Sequence, residues 1–299
     1  ILLYYLCGEK NMDNMSQNPL ARHFRQPKLF ITLPSGGNYY PQGTLEPTEN
    51  MQFPVFAMTA KDEIMFKTPD ALLNGQSTVS VIQSCMPNIK NAWMVPSIDI
   101  DAILVAIRIA TYGDKMDLEF KVPNTQEERA YEVELTPLLD TITQHTYNNI
   151  CTHGDSVFEL VPGNYKTFTD NALKTFEEQR IFRTINNDEM SDTDKLRVFN
   201  ESFSRLTEIN IGNIFNNVKS IRIEQDDAVT NSLHIKEFLD NAGADVYKSL
   251  LTHIDTERKK FQIKPFKIQT TEADQAAGAP KVFEVPFTFD QTNFFASGS

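Results

Sequence analysis

Three side chains close together in the chain could ligate a metal or share a proton: His145, Cys151 and His153. A structural zinc site takes four soft ligands arriving in tightly spaced pairs. Here a Cys-x-His unit stands with one histidine upstream and no fourth ligand nearby, so the group reads as structural and no metal is expected. A Cys–His nucleophile, and with it a hydrolase or metalloprotein built around Cys151, stays open as an alternative. Sequence proximity says nothing of hydrogen-bond geometry, and no orienting third group is identifiable. Asp188, Glu189, Asp192 and Asp194 could hold a cation, yet they lack the glycine turn and terminal glutamate of a calcium loop. They read better as a solvated helix start. Ser35-Gly36-Gly37 could cradle a phosphate, but no Lys-Ser/Thr follows, and a turn is the better reading. No catalytic, cofactor-binding or metal-ligating residue is assigned, and no cofactor is expected.

The elements around these residues follow from spacing and caps. Lys28–Leu33 and Phe53–Met58 read as short strands, separated by the Pro34-Ser-Gly-Gly turn and a second turn at Tyr39-Tyr40-Pro41-Gln-Gly43. Between Met58 and Gly113 the chain becomes a series of capped helices. Thr59 and Asp62 form a capping box; Pro69 opens a helical turn that Gly75 ends; Ser77 caps a helix burying Val79, Ile82, Cys85 and Met86. Ser97 is expected to cap the strongest helix, whose Ile100, Ile103, Leu104 and Ile107 repeat at helical spacing up to Gly113. Asp62, Asp99 and Asp101 fall in first turns, where a carboxylate favours the helix dipole.

Strict alternation at Leu118, Phe120 and Val122, and again at Tyr131, Val133 and Leu135, predicts a hairpin with one wet face. From Tyr165 to about Phe261 the pattern is mainly helical. Ser191 and Asp194 start a helix carrying Leu196, Phe199, Phe203 and Leu206, a stripe too short for a long coiled coil and fit for a tertiary contact. Ile235, Phe238, Leu239 and Ala242, then Tyr247, Leu250, Leu251 and Ile254, mark two more helices, and Arg258, Lys259 and Lys260 suit a helix C-terminus. Phe266 and Ile268 pair with Phe283, Val285, Phe287 and Phe289 in a second hairpin, across a small, polar Thr270–Pro280 loop expected to be mobile.

The resulting fold class is α+β: a short-stranded N-terminal lobe around a central apolar helix, a helical middle region and a C-terminal β-hairpin. The expected divisions are 1–14, read as upstream read-through or a disordered edge before a start at Met12 or Met15; 15–164; 165–262; and 263–299. A truncated signal peptide at Ile1–Cys7 is a second reading of that edge.

At 299 residues, with 40% apolar and 23% charged residues, the chain has ample material for a core. Its net charge of −12, without a long basic stretch, argues against nucleic-acid binding. Ala102–Ala110 is too short to span a bilayer, so no membrane association is expected. Three cysteines make no disulfide framework and suit a reducing compartment.

Longer wording carries more. Asn18–Glu46 (NPLARHFRQPKLFITLPSGGNYYPQGTLE), Asp62–Gly75 (DEIMFKTPDALLNG), Trp93–Gly113 (WMVPSIDIDAILVAIRIATYG) and Phe287–Phe295 (FTFDQTNFF) resemble the baseplate protein family of T4-type contractile-tailed bacteriophages. The resemblance is good over about 18–145 and covers the helical middle only in general character. It implies a non-enzymatic structural or assembly component of the baseplate, of the central hub, acting through protein–protein contacts. It also implies other baseplate and hub proteins as partners, a homo-oligomer being open, and the host bacterial cytoplasm as the place of assembly. Retention in the virion tail, or release as a cytosolic assembly chaperone, are both compatible with it. Many members of that family carry paired cysteines, resembling a zinc knuckle, in the loop matching Pro123–Arg129. This chain has none there.

Phenylalanine is unusually common, 21 of 299 residues, and Phe294 and Phe295 sit in an otherwise small, polar terminus. Apolar side chains in such places dock on their own domain or on a partner. Tyr39, Tyr40 and Pro41 in their turn, with Phe287, Phe289, Phe294 and Phe295 at the end, are the expected partner contacts.

Overall fold

The computed structural model describes residues 20, 24–66, 75–125, 127–185 and 191–287, the side chains of 182–185 excepted. Helices and small antiparallel sheets alternate along the chain. Strand β1 (Pro27–Thr32) pairs with β2 (Gln52–Phe56), placing Ile31 opposite Phe53. Helix α1 (Ala60–Phe66) starts at the expected box: Asp62 accepts from Thr59 N at 2.8 Å, and Asp62 N donates to Thr59 Oγ1 at 3.3 Å. The same carboxylate accepts from Ser84 Oγ at 2.9 Å on α2 (Gln76–Cys85), so the cap also ties the two helices together. The turn expected at Thr68–Pro69 lies outside the described residues.

Two expected caps are corrected. Ser77 lies inside α2, where its buried hydroxyl donates to Met65 O at 3.0 Å; Gly75 holds the cap position with φ 73°. Ser97 does not cap α3 (Ile100–Tyr112) either; Asp99 precedes that helix and makes no side-chain cap bond. Asp99 is fully buried and reaches across the fold instead.

Helix α3 is the centre of the first core. Ile103, Val105, Ala106 and Ile107 are inaccessible to solvent, surrounded by β1, β2, α2 and α4 (Leu135–Thr143). Its run of apolar residues buries Arg108 as well. The guanidinium lies 4.6 Å from the Tyr112 ring, and its Nε and Nη1 have no hydrogen-bond partner among the described residues. After Gly113, β3 (Lys115–Lys121) and β4 (Glu128–Glu134) form the expected hairpin, with Leu118 opposite Tyr131. Leu135 leaves that alternation and begins α4, because its buried side chain packs into the first core.

A second core lies beyond. Strands β5 (Ile150–His153), β6 (Ser156–Leu160) and β7 (Val218–Ile223) form one antiparallel sheet, joining chain on both sides of residue 165. None of the three was anticipated from the sequence. Between β6 and β7 run two long antiparallel helices, α5 (Tyr165–Ile185) and α6 (Asp192–Asn217), the latter capped by Ser191 as expected. Helices α7 (Ser232–Asp240) and α8 (Ala244–Lys260) cover the sheet with Ile235, Leu239 and Leu250. Phe261, at the end of α8, is buried in the first core, so this helix spans both.

Strands β8 (Phe266–Gln269) and β9 (Val282–Val285) form the expected C-terminal hairpin, with Phe266 opposite Val285. The connection between them is not a plain loop. Thr271 and Asp274 make a capping box for α9 (Glu272–Ala276), and Arg129 grips Asp274 with two bonds of 2.7 and 2.6 Å. A paired, buried carboxylate anchors that segment, contrary to the expectation of mobility from its small polar residues.

Candidate interaction surface

The turn carrying the expected contacts is locked onto α3. Asp99 Oδ1 accepts from Ser35 N at 2.7 Å, and Oδ2 accepts from Ser35 Oγ at 2.6 Å and from the Tyr40 hydroxyl at 2.9 Å. Burial pushes the Asp99 carboxyl up to about 6, against the lowering by those donors. The same burial, with the Asp99 charge beside it, raises the Tyr40 phenol well above its ordinary value. Tyr39, held at φ 67°, meets the Tyr147 ring edge-on at 5.7 Å. Both tyrosines are therefore half-buried against their own core, and Pro41 is exposed beside them. Phe287 packs edge-on against Phe266 at 5.7 Å, also within this chain. Phe289, Phe294 and Phe295 lie outside the described residues.

The histidine–cysteine group is dispersed by function. His145 packs edge-on against Phe261 at 6.1 Å. Cys151 points into the second core, its Sγ 3.9 Å from Ser249 Oγ, and burial raises its thiol pKa. A nucleophilic thiol needs the opposite shift. His153 Nε2 lies 3.0 Å from Asp245 Oδ2, and His253 Nε2 lies 2.8 Å from Asn148 O. Cys151, His153 and His253 line an open cleft of about 630 Å³ between β5 and α8, but the two imidazoles are engaged elsewhere than at the thiol. Among the described residues, no three His, Cys, Asp or Glu side chains are placed to hold a metal ion. Of the acidic cluster, Asp188 and Glu189 lie outside the described residues, while Ser191 Oγ donates to Asp194 Oδ2 at 2.7 Å in a helix start. No helix among the described residues is long and apolar enough to cross a membrane.

A surface that the sequence reading placed inside the fold is open. In an ordinary helical hairpin the apolar residues fill the seam and the polar ones face water. The α5–α6 seam holds polar pairs beside half-buried Leu206 and Ile209: Glu178 accepts from Ser202 Oγ and, at 2.6 Å, from Arg205 Nε, and Asn171 bonds Asn213. Buried Ser202 sets the direction of contact. At 100° per residue, Leu196, Phe199 and Phe203 fall on one flank of α6, some 60–120° from that line. On α5, Phe168 falls about 80° from Glu178 toward the same side and Phe176 about 160°, near the outer side of the helix. All five are exposed, Phe203 at 61% and Leu196 at 62%, and Phe199 and Phe203 stack with rings 6.4 Å apart. Of the stripe read from the sequence, Leu206 is half-buried, while Leu196 and Phe203 stay exposed.

Toward the base of the hairpin, this face runs into a cavity of about 580 Å³. Phe168 and Phe176 line it, with Asn210 and Asn213 from α6 and Leu251 and Ile254 from α8. Carboxamides beside aromatic rings can take both polypeptide backbone and apolar side chains. No protein-family model, curated protein or solved structure matches this chain.

Proposed function

We propose that this protein acts by contact rather than by catalysis, as a structural or assembly component of a contractile-tail phage baseplate, in the central hub. The observation that supports a contact function is the set of large apolar side chains that the α5–α6 hairpin leaves exposed, Leu196 and Phe203 on α6 and Phe168 and Phe176 on α5. Exposed apolar surface gathered on one face is the usual mark of a protein–protein site. The assignment to a baseplate rests on the resemblance of the 18–46, 62–75, 93–113 and 287–295 segments. In this reading the turn at Tyr39, Tyr40 and Pro41, rigidified by Asp99, and the aromatic residues from Phe287 onward supply further contacts. Partners are other baseplate and hub proteins, met in the host bacterial cytoplasm.

Affinity capture of the tagged chain from infected cells tests the proposal. Co-purification of tail proteins, reduced in a Phe176→Asp/Phe203→Asp variant, is the expected result. Recovery of no tail protein would overturn the baseplate assignment. Mass spectrometry of purified virions then separates a retained subunit, present at stoichiometric level, from an assembly chaperone, which is absent.

A further inference from the structure

We infer that the free edge of β5 and the flank of α8 form a groove that takes an extended segment of a partner protein as an added β-strand, with an acidic side chain of that segment facing Lys248. This surface is distinct from the α5–α6 hairpin, and its test is independent of the baseplate assignment. In an antiparallel pair, alternate residues exchange both backbone bonds with the neighbouring strand, and those between point the other way. Leu160 N donates to Asn149 O at 2.7 Å, and the register pairs Cys151 with Phe158 and His153 with Ser156. The odd-numbered residues therefore bond β6, and the peptide groups of Ile150 and Thr152 point outward, where β5 ends the sheet. Asn148 Oδ1 accepts from Ile150 N at 3.2 Å. Among the described residues, Ile150 O, Thr152 N and Thr152 O have no partner. An acceptor, a donor and an acceptor at ladder spacing match the N–H, C=O and N–H of an extended polypeptide.

Helix α8 makes the second wall, running antiparallel beside β5. His153 Nε2 lies 3.0 Å from Asp245 Oδ2, and Cys151 Sγ lies 3.9 Å from Ser249 Oγ. Asn148 meets His253 at its carbonyl and Glu257 at its N–H, at 2.8 and 3.0 Å. From Asn148 to His153 the extended chain rises about 17 Å, and from Asp245 to Glu257 the helix rises about 18 Å, so the two walls match in length. Between them lies the cleft of about 630 Å³, lined from α8 by an exposed stripe of Lys248, Thr252 and Thr256. Charge selects the occupant. Asp245 is engaged by His153 and Glu257 by Lys260, whereas Lys248 has no ion pair among the described residues. Cys151 and His153 turn toward α8, so on an added strand the residue opposite Thr152 turns away from the helix and its two neighbours turn toward Lys248. A segment alternating acidic with β-branched residues fits, its carboxylates on the helix side and the other set beside Ile150, which is 42% exposed. A second copy fits worse. Lys248 stands at the level of Thr152, so two-fold pairing through that residue sets the two lysines against each other.

The test titrates the full chain into a fluorescein-labelled peptide of alternating glutamate and valine, long enough to span the cleft, and reads fluorescence anisotropy. Saturable binding is expected. Methylating the valine nitrogens, which face β5, should abolish it; methylating the glutamate nitrogens, which face solvent, should not. Thr152→Pro removes an N–H that β6 does not use, so it should weaken binding by at least about tenfold while the melting temperature holds. Lys248→Glu should weaken the glutamate peptide and favour one with lysine in its place. Equal binding by the two methylated peptides overturns strand addition, and it reads the backbone pairing even where Thr152→Pro fails to fold. Binding unchanged in a folded Thr152→Pro overturns it too, as does no binding at about 1 mM peptide. A wild type that sediments as a dimer, dissociated by Thr152→Pro, gives the edge to a second copy and overturns the partner strand.

Discussion

Asp99 shows how one residue can carry a different burden from the one its position suggests. A carboxylate just before a helix is favoured by the helix dipole, and that alone would account for it. Its three bonds to Ser35 and Tyr40 instead clamp a loop lying some sixty residues earlier in the chain. The clamp has a pH signature. The folded carboxyl titrates near 6, because burial outweighs its donors, whereas an unfolded aspartate titrates near 4. Between those values the folded state holds the extra proton, so this contribution to stability is complete below the unfolded pKa and is lost as pH rises through the folded one. Asp99→Asn removes the titration. The wild-type stability relative to that variant should therefore fall by about 2 kcal/mol from about pH 4 to about pH 7, read by chemical denaturation at each pH. A difference that stays flat, or rises, would mean that Asp99 is already ionised in the fold at low pH. Asp101, also pushed up to about 6 by burial, is present in both proteins and cancels in the comparison.

At the scale of elements, the join between α2 and α5 is a place where one atom decides the packing. Gly75 adopts φ +73°, and a Cβ there would lie 3.1 Å from Thr169 Cγ2 and 3.2 Å from Tyr165 Cε1. Gly75→Ala combines a left-handed backbone with a forced shift of α5, and should cost about 1–3 kcal/mol of stability in thermal or denaturant unfolding. An unchanged midpoint would show that α5 yields freely at its first turn. Gly75 was legible as a punctuation mark in the sequence, though as the end of one helix and not the cap of the next. Elements written in their own spacing were legible: the Ile103–Ile107 stripe, the Thr59–Asp62 box, the hairpin whose arms carry Leu118 and Tyr131. The reading failed where the deciding partner is distant. Strands of four and five residues around Gly154 are too short to show a period, and β7 follows directly on α6 with no breaker between. The Leu196–Phe203 stripe was visible as apolar, but a helical period cannot say whether the covering surface belongs to the same chain.

The molecule as a whole is two cores of unequal size, bridged by α8 and by the first turn of α5, where Tyr165 packs against the first core. Among the described residues, the first gathers 27 buried residues around α3 and the second nine around the β5–β7 sheet. Hydrophobic stabilisation scales with buried apolar area, so the second core is the weaker unit. Helix α8 gives Leu250 to the second core and leads to Phe261 in the first, which couples them mechanically but does not equalise them. Native-state hydrogen exchange should resolve the difference. Amides of α3 should exchange only by global unfolding, and those of β5–β7 and α7 by a smaller opening, about 2 kcal/mol or more below it. The α5–α6 helices leave the second core and present their aromatic face to solvent, so their amides should follow the smaller unit when the chain is alone. A partner seated on that face binds only the closed form and must raise their protection by mass action, while leaving α3 unchanged until global stability itself rises. Equal exchange free energies in both cores would mean that α8 fuses them into one cooperative unit, and the hairpin would then be held as firmly as α3 before any partner arrives.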